Sequence, residues 1–276
     1  MMYSLNGKET YIEKAVANGL DKKMIELKDD GDIVCAVTSG EGFGKSTFAQ
    51  TLGGYFASKL GTSFTIDNIH FNTDSFIDFA ENAPKYTVII LDESRSDLYR
   101  GSSNSNKNKN FTHWLSECRA KNLVLILLIP SIHDFDPYIN KWRTSIWFEL
   151  TKIKDKDGVY RRGFYNVMAI KKRKLFLKYL DKKYSRTPQS LKLLRGRFTK
   201  ITPIDKDEYE KKKDINRKEK FEKKKEEKEQ INLPPSLIGW FANKKPAELW
   251  QPDTKEYETG RKWLYSLRKV GKLETG

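Results

Sequence analysis

One segment has the residue types and spacing for phosphate binding: residues 39–47, SGEGFGKST. It matches the pattern Gly-x-x-x-x-Gly-Lys-Ser/Thr, with Ser39 in the place of the first glycine. Glycines allow a tight turn whose backbone N–H groups wrap a phosphate, and the following helix directs the positive end of its dipole at the anion. We expect Lys45 to reach the β- and γ-phosphates of a nucleotide and Ser46 to coordinate Mg²⁺. A glycine-rich turn that binds nothing is the alternative. The predicted cofactor-binding residues are Ser39, Gly40, Glu41, Gly42, Phe43, Gly44, Lys45, Ser46 and Thr47.

An acidic pair, Asp92 and Glu93, follows the apolar residues 88–91. Four apolar residues that end in two carboxylates are typical of the second nucleotide-binding motif of P-loop proteins. We expect Asp92 to hold the Mg²⁺ shell through water, and Glu93 to polarise an attacking water as the general base. The alternative is two solvated carboxylates at the end of a strand.

The elements that must position these residues alternate along the chain. Apolar runs of strand length lie at 33–37, 64–69, 87–91 and 123–129, and weaker ones near 145–150 and 163–170. Helical patterns lie at 10–28, 45–60, 74–80, 111–120 and, densely charged, from about 206. Continuous apolar strands separated by helices predict an α/β fold, in which helices cover both faces of a mainly parallel sheet.

Residues 31–150 resemble a P-loop ATPase of the additional-strand catalytic-glutamate division. Within it they resemble the HerA/FtsK and zonular-occludens-toxin-like ATPases of viruses and mobile elements. The box LDESRS at 91–96, the segment CRAKN at 118–122 and the strand that runs into Pro130-Ser131 carry the resemblance. It implies a RecA-like core in which 123–129 is the added strand and Ser131 senses the γ-phosphate. It also implies a homo-oligomer, with a hexamer among the ring sizes.

ATPases of this kind complete the site with an arginine, in cis or from a neighbouring subunit. We rank Arg119 and Arg143 first among the core arginines, ahead of Arg95 and Arg100. A solvated surface arginine is the alternative for each of them.

The charge distribution predicts a polyanionic partner. Residues 1–150 carry 16 Lys and Arg against 19 Asp and Glu, a balance of −3, whereas residues 151–276 carry 36 against 18, a balance of +18. Aromatic residues are interleaved with the basic ones between 160 and 200, which suits DNA, while a bland basic surface or anionic lipid is the alternative. The predicted nucleic-acid contacts are Arg161, Arg162, Lys171, Lys172, Arg173, Lys174, Arg195 and Arg197.

Composition changes predict four parts of the chain. They are an N-terminal helical segment at 1–30, an ATPase core at 31–170, a basic and charged-helix extension at 171–232, and a small helical module at 233–276. The last is a helix-turn-helix or an amphipathic docking unit. The longest apolar run, 123–129, is far shorter than the roughly 20 residues of a membrane span. We expect no membrane span and a cytoplasmic protein, in the host cytoplasm if the chain is viral.

These observations predict Mg²⁺-dependent ATP hydrolysis coupled to the movement or remodelling of DNA. Two alternatives stay open. One is a P-loop kinase that acts on a small molecule, and the other is a nucleic-acid-binding assembly protein with an ATP switch.

Overall fold

The computed structural model describes residues 1–92, 106–170, 173–182 and 189–229. The chain forms one compact unit from Met1 to Lys213 and a second from Asp214 to Gly276. The elements, in chain order, are β1 (Met2–Leu5), β2 (Lys8–Tyr11), α1 (Lys14–Lys28), β3 (Ile33–Thr38), α2 (Lys45–Leu60), β4 (Ile69–His70), α3 (Thr73–Asn82), β5 (Val88–Leu91), α4 (Asn106–Glu117), β6 (Val124–Ile129), β7 (Ile146–Lys154), β8 (Tyr160–Met168), α5 (Arg173–Lys182), β9 (Lys192–Arg197) and α6 (Lys206–Glu229).

Seven strands of the described chain form one sheet in the order β4-β5-β6-β3-β7-β8-β9. The first five strands are parallel to one another, and β8 and β9 continue the sheet in antiparallel fashion. Strand β6 lies between β3, which precedes the phosphate loop, and β5, which precedes the acidic pair. The predicted mainly parallel α/β fold is therefore confirmed, and so is the position of the added strand in this RecA-like order.

Strand β3 explains why the central strands are apolar without alternation. All six of its residues are buried. Cys35 and Val37 face a core that includes residues of α1 and α2, while Val34 and Ala36 face a core that includes residues of α3 and α4. Helices cover both faces, so the positions from Ile33 to Val37 are all apolar, and the polar Thr38 stands at the carboxyl end of the strand.

Two local predictions are wrong. The first residues of the predicted helical segment 1–30 form the antiparallel hairpin β1–β2 instead, and only α1 is helical. The hairpin turn is Asn6-Gly7, with both φ angles positive, which is the strongest short hairpin signal. The predicted strand 64–69 is reduced to Ile69–His70, because Thr65 and Asn68 form a capping box around a short 3₁₀ helix.

The predicted boundary at residue 170 falls inside the first compact unit, because β9 belongs to the central sheet. Within the extension, α5 and α6 are helical, and β9 closes one edge of the sheet before α6 begins. The predicted module at 233–276 lies outside the described residues. No helix in the described ranges has the length and apolar character needed to cross a membrane.

Candidate phosphate-binding site

The glycine-rich loop joins the carboxyl end of β3 to the first turn of α2. Gly42 and Gly44 have φ angles of +70° and +93°, which L side chains rarely adopt. Gly44 is the residue that caps the amino end of α2. A Cβ at Gly44 would also lie 3.3 Å from the Phe198 ring. The backbone N–H groups of the loop and of the first helical turn are thus free of side-chain bulk, as phosphate binding requires.

Lys45 folds back over this loop. Its Nζ donates to the carbonyl oxygens of Ser39 at 2.8 Å and Gly40 at 3.1 Å. Burial lowers the pKa of Lys45, and the carboxylates of Asp92 and Glu41 oppose that effect. A partly desolvated cation beside exposed amide groups favours an anion, so the loop fits the phosphates of a nucleotide.

Asp92 lies at the carboxyl end of β5 and is 3% exposed. Its N–H donates to the His70 carbonyl at 2.8 Å, which continues the β4–β5 pairing by one residue. Its Oδ2 accepts a hydrogen bond of 2.7 Å from the Tyr209 hydroxyl. Ser46, the other predicted metal residue, lies in the first turn of α2 beside Lys45. Glu93, the predicted general base, lies outside the described residues.

The donor set suits Mg²⁺. Magnesium is usually held by one or two protein oxygens together with substrate phosphates and water, rather than by a cage of protein ligands. Among the described residues, no three His, Cys, Asp or Glu side chains converge on one point. Ser46 and Asp92 would hold the ion, with the phosphates supplying further oxygens.

Ser131 follows β6 at the same edge of the sheet, because β6 is parallel to β3 and Ile129 pairs with Thr38. Its Oγ accepts the His133 N–H at 3.3 Å and caps a short 3₁₀ helix. Ser131 thus lies at the carboxyl end of β6, next to the end of β3 at which the phosphate loop begins, and its role as a sensor stays a prediction.

The two arginines that we ranked first lie near the amino end of β3, whereas the phosphate loop follows its carboxyl end. Arg119 donates from Nε to the Asp30 carbonyl at 3.2 Å, and Arg143 forms an ion pair with Asp32 directly before β3. The phosphate loop follows β3, so the six residues of this strand, about 20 Å, separate both side chains from the loop of the same chain. A role in cis is therefore wrong for both, and only a role in a neighbouring subunit stays a prediction.

Basic residues of the antiparallel part of the sheet approach the loop instead. Glu149 of β7 pairs with Thr38, the last residue of β3, so the rest of β7 and the start of β8 project past the edge where the loop lies. The Lys152 Nζ is 4.2 Å from the centre of the Phe43 ring. The Arg162 Nη2 is 3.9 Å from a Cβ built on Gly42. Arg162, which we predicted to contact nucleic acid, is thus placed beside the phosphate loop.

The other predicted nucleic-acid contacts are spread over β8, β9 and α5. Arg161 is exposed and pairs with Asp155 at 2.7 Å. Arg195 and Arg197 are exposed on β9, at the edge of the sheet. Arg173 and Lys174 begin α5, and their side chains are outside the described part of the chain, as are Lys171 and Lys172 entirely.

Sequence reasoning missed Tyr209 and Lys152. Tyr209 had a weak signal, since it is an aromatic residue in the otherwise charged first turns of α6. Lys152 had none, because its position depends on how far β7 extends beyond β3.

No protein-family model matches the chain, and a search of curated proteins finds no match. Among solved structures, the crystal structure of the N-terminal domain of zonular occludens toxin from Neisseria meningitidis is similar, with a TM-score of 0.38 and 15% sequence identity. That match covers 65% of this chain and 98% of the other. The resemblance to a particular ATPase subfamily stays a prediction.

Proposed function

We propose that this chain binds and hydrolyses ATP with Mg²⁺, and that it couples hydrolysis to the movement or remodelling of DNA as a homo-oligomer. One observation carries the nucleotide part of the proposal. The loop that contains Lys45 joins a buried parallel strand to a helix, and Asp92 ends a parallel strand on the far side of the inserted β6. This arrangement places a cation, backbone amides and a carboxylate at the carboxyl ends of the parallel strands.

The roles follow from chemistry and position. Lys45 and the loop amides bind the phosphates, and Ser46 and Asp92 hold Mg²⁺, which neutralises charge that develops on the phosphoryl oxygens when it is bound. We assign Glu93 as the base that takes a proton from the attacking water, and Ser131 as the residue that contacts the γ-phosphate. Arg162 and Lys152 add positive charge at the rim of the loop.

The DNA part of the proposal rests on charge. The excess of +18 in residues 151–276 suits the release of counterions from a phosphate backbone, and Arg195 and Arg197 are exposed to make such contacts. A small-molecule kinase would leave this excess without a role.

The test is the rate of phosphate release from ATP by the full chain, with no DNA, with single-stranded DNA and with double-stranded DNA. We expect Mg²⁺-dependent release that DNA stimulates, and a stimulation that weakens between low and moderate salt. Lys45→Ala is the control, and we expect it to lower the rate at least a hundredfold, because the phosphates lose their main side-chain cation.

The alternatives give different results. Transfer of the γ-phosphate to a nucleoside, without an effect of DNA, would indicate a kinase. Tight binding of ATP with no turnover, and no change in Glu93→Gln, would indicate an ATP switch in an assembly protein. A hydrolysis rate that no nucleic acid changes would contradict the coupling to DNA.

A further inference from the structure

Phe198, the residue directly after β9, lies against the glycine that caps α2. A Cβ on Gly44 would be 3.3 Å from the Phe198 Cζ, so a side chain at Gly44 would press against this ring. The same ring lies 5.2 Å from that of Phe48, measured between ring centres. Gly44 and Phe48 are four positions apart, on one flank of the helix start, and the Phe48 N–H donates to the Gly44 carbonyl at 2.9 Å. Phe198 thus packs along the turn that joins the phosphate loop to α2.

A second glycine, Gly163 of β8, holds Phe198 in this place. The Phe198 N–H donates to the Gly163 carbonyl at 2.8 Å, and a Cβ on Gly163 would lie 2.9 Å from the Phe198 carbonyl oxygen. Gly163 also has a φ angle of +98°, which L side chains rarely adopt. The close approach of the chain that leaves β9 therefore requires a residue without a side chain at position 163. Phe198 is fixed through its backbone on this side and presents its ring to Gly44 on the other.

The contact at Gly44 differs from the other side-chain contacts of the loop glycines. A Cβ on Gly40 would lie 3.2 Å from the Phe43 ring, and the Lys152 Nζ is 4.2 Å from the centre of that ring. Phe43 is itself part of the loop, however, and Lys152 reaches it with a long, flexible side chain. Phe198 instead follows a strand of the central sheet and is anchored by its own backbone. The contact at Gly44 therefore links the loop to the sheet through a fixed ring.

We infer that Phe198 is a positioning residue for phosphate binding. Its ring holds the turn at Gly44, and with it the N–H groups of the loop and of the first turn of α2, in the conformation that accepts phosphate. The inference rests on the proposed function, since it concerns the phosphate loop of the same site. A loop that is ordered before the nucleotide arrives loses less conformational freedom on binding, so its affinity is higher. The ring carries no charge and no N–H or O–H group, so its effect is on the geometry of the backbone donors.

The test compares nucleotide affinity with the stability of the fold. For the full chain and for Phe198→Leu, we would measure the dissociation constant of a fluorescent, non-hydrolysable ATP analogue in Mg²⁺ and the free energy of unfolding in urea. Leucine keeps an apolar side chain at this half-buried position but removes the ring from Gly44. We expect Phe198→Leu to bind the analogue roughly fivefold more weakly, which corresponds to the loss of one aromatic contact.

Phe64→Leu is the matched control, because Phe64 also packs its ring on a glycine of α2. A Cβ on Gly53 would lie 2.7 Å from the Phe64 ring, and Gly53 is about two helical turns away from Lys45. Phe64 is fully buried, so we expect Phe64→Leu to lower the free energy of unfolding at least as much as Phe198→Leu does, and to leave the affinity unchanged. Equal losses of affinity in both variants would mean that any loosening of α2 weakens binding. No loss in Phe198→Leu would mean that the ring does not position the loop. Either result overturns the inference while the proposed function stands.

A second variant displaces Phe198 from its backbone side. Gly163→Ala places a Cβ against the Phe198 carbonyl oxygen, so we expect it to weaken binding by a similar factor. Because both substitutions break the same contact, the double variant of Gly163→Ala and Phe198→Leu should bind about as weakly as either single variant. Losses that multiply in the double variant would show that Gly163 acts independently of Phe198, which contradicts the inferred arrangement.

The last measurement needs no nucleotide. The Phe48 N–H donates to the Gly44 carbonyl, so its hydrogen exchange reports on the turn directly. We expect the backbone amides of residues 48–50 to exchange faster in Phe198→Leu than in the unaltered chain, and those of residues 57–60 at the other end of α2 to be unchanged. Equal exchange of residues 48–50 in the two proteins would contradict the inference. If the unaltered chain does not bind the analogue at all, the proposed function fails, and this exchange experiment still decides whether Phe198 holds the loop.

Discussion

His70 contacts the backbone of Asp92, and its imidazole ring is neutral. Its carbonyl accepts the Asp92 N–H at 2.8 Å, and its Nδ1 lies 3.3 Å from the Ser75 Oγ. Within the part of the chain that the structure describes, its buried Nε2 has no hydrogen-bond partner. Burial lowers the pKa of His70 to about 4, and the positive charge of Lys212 acts in the same direction. A proton on this buried ring would be poorly solvated.

Because the folded chain lowers the pKa of His70, we expect the protonation of this one residue to reduce the stability of the fold in acid. The unfolded chain binds a proton at His70 below about pH 6.5, whereas the folded chain does so only near pH 4. The stabilisation is therefore complete above pH 6.5 and is lost as the pH falls towards 4. Between pH 7 and pH 5 we expect the unaltered chain to lose about 2 kcal/mol more free energy of unfolding than His70→Asn.

Urea unfolding of the full chain at the two pH values, followed by tryptophan fluorescence, measures this difference. Asparagine keeps a polar atom near Ser75 and cannot take up the proton. An equal loss in both proteins would mean that His70 is not protonated on unfolding in this range.

At the scale of elements, the lengths of the strands decide which cations reach the phosphate loop. Strand β3 has six residues, whereas its parallel neighbour β7 has nine. The residues of β7 that extend beyond β3 form a hairpin with the start of β8. This hairpin extends past the carboxyl end of β3, on the side where the loop lies. This hairpin carries Arg161 and Arg162, but only the second is placed beside Gly42. Arg161 is held by Asp155 instead.

The two adjacent arginines therefore have different expected effects. We expect Arg162→Ala to weaken the binding of an ATP analogue in Mg²⁺ by about tenfold, because a phosphate loses a charged hydrogen-bond donor. Arg161→Ala is the control, and we expect a change of less than about twofold, because an exposed ion pair contributes little. Titration calorimetry of the three proteins makes the comparison. Equal losses in both variants would show that the hairpin acts only through its overall charge.

The same elements explain how far the site could be predicted from sequence. The phosphate loop and Asp92 could be found because each is a local pattern next to its own strand. Tyr209 could not, since it meets Asp92 across 117 positions of the chain, and nothing local encodes that contact. Arg119 and Arg143 were assigned by type and by proximity to the β6 segment. The strand direction, which was already implied by the parallel sheet, places their elements at the wrong edge. The Asn6-Gly7 pair is a hairpin signal in the sequence, but it was included in the predicted helical segment 1–30.

At the scale of the whole molecule, part of the excess positive charge lies on strands of the central sheet. The boundary predicted at residue 170 would have separated a neutral core from a basic appendage. In the structure, β8 and β9 belong to the first compact unit, so Arg195 and Arg197 are held by the same sheet as the phosphate loop. A partner that binds these side chains would contact the same compact unit that holds the phosphate loop.

This placement predicts a specific change in how salt affects DNA binding. Each phosphate contact adds about 0.9 to the slope of log affinity against log salt concentration. We expect the double variant Arg195→Glu and Arg197→Glu to reduce the slope for double-stranded DNA by about two, measured by fluorescence anisotropy across several salt concentrations. Lys22→Glu with Lys28→Glu is the matched control, since both residues are exposed on α1 and the change in net charge is the same. If both double variants lower the slope equally, net charge rather than the β9 edge governs binding, and the sheet is not where DNA and nucleotide meet.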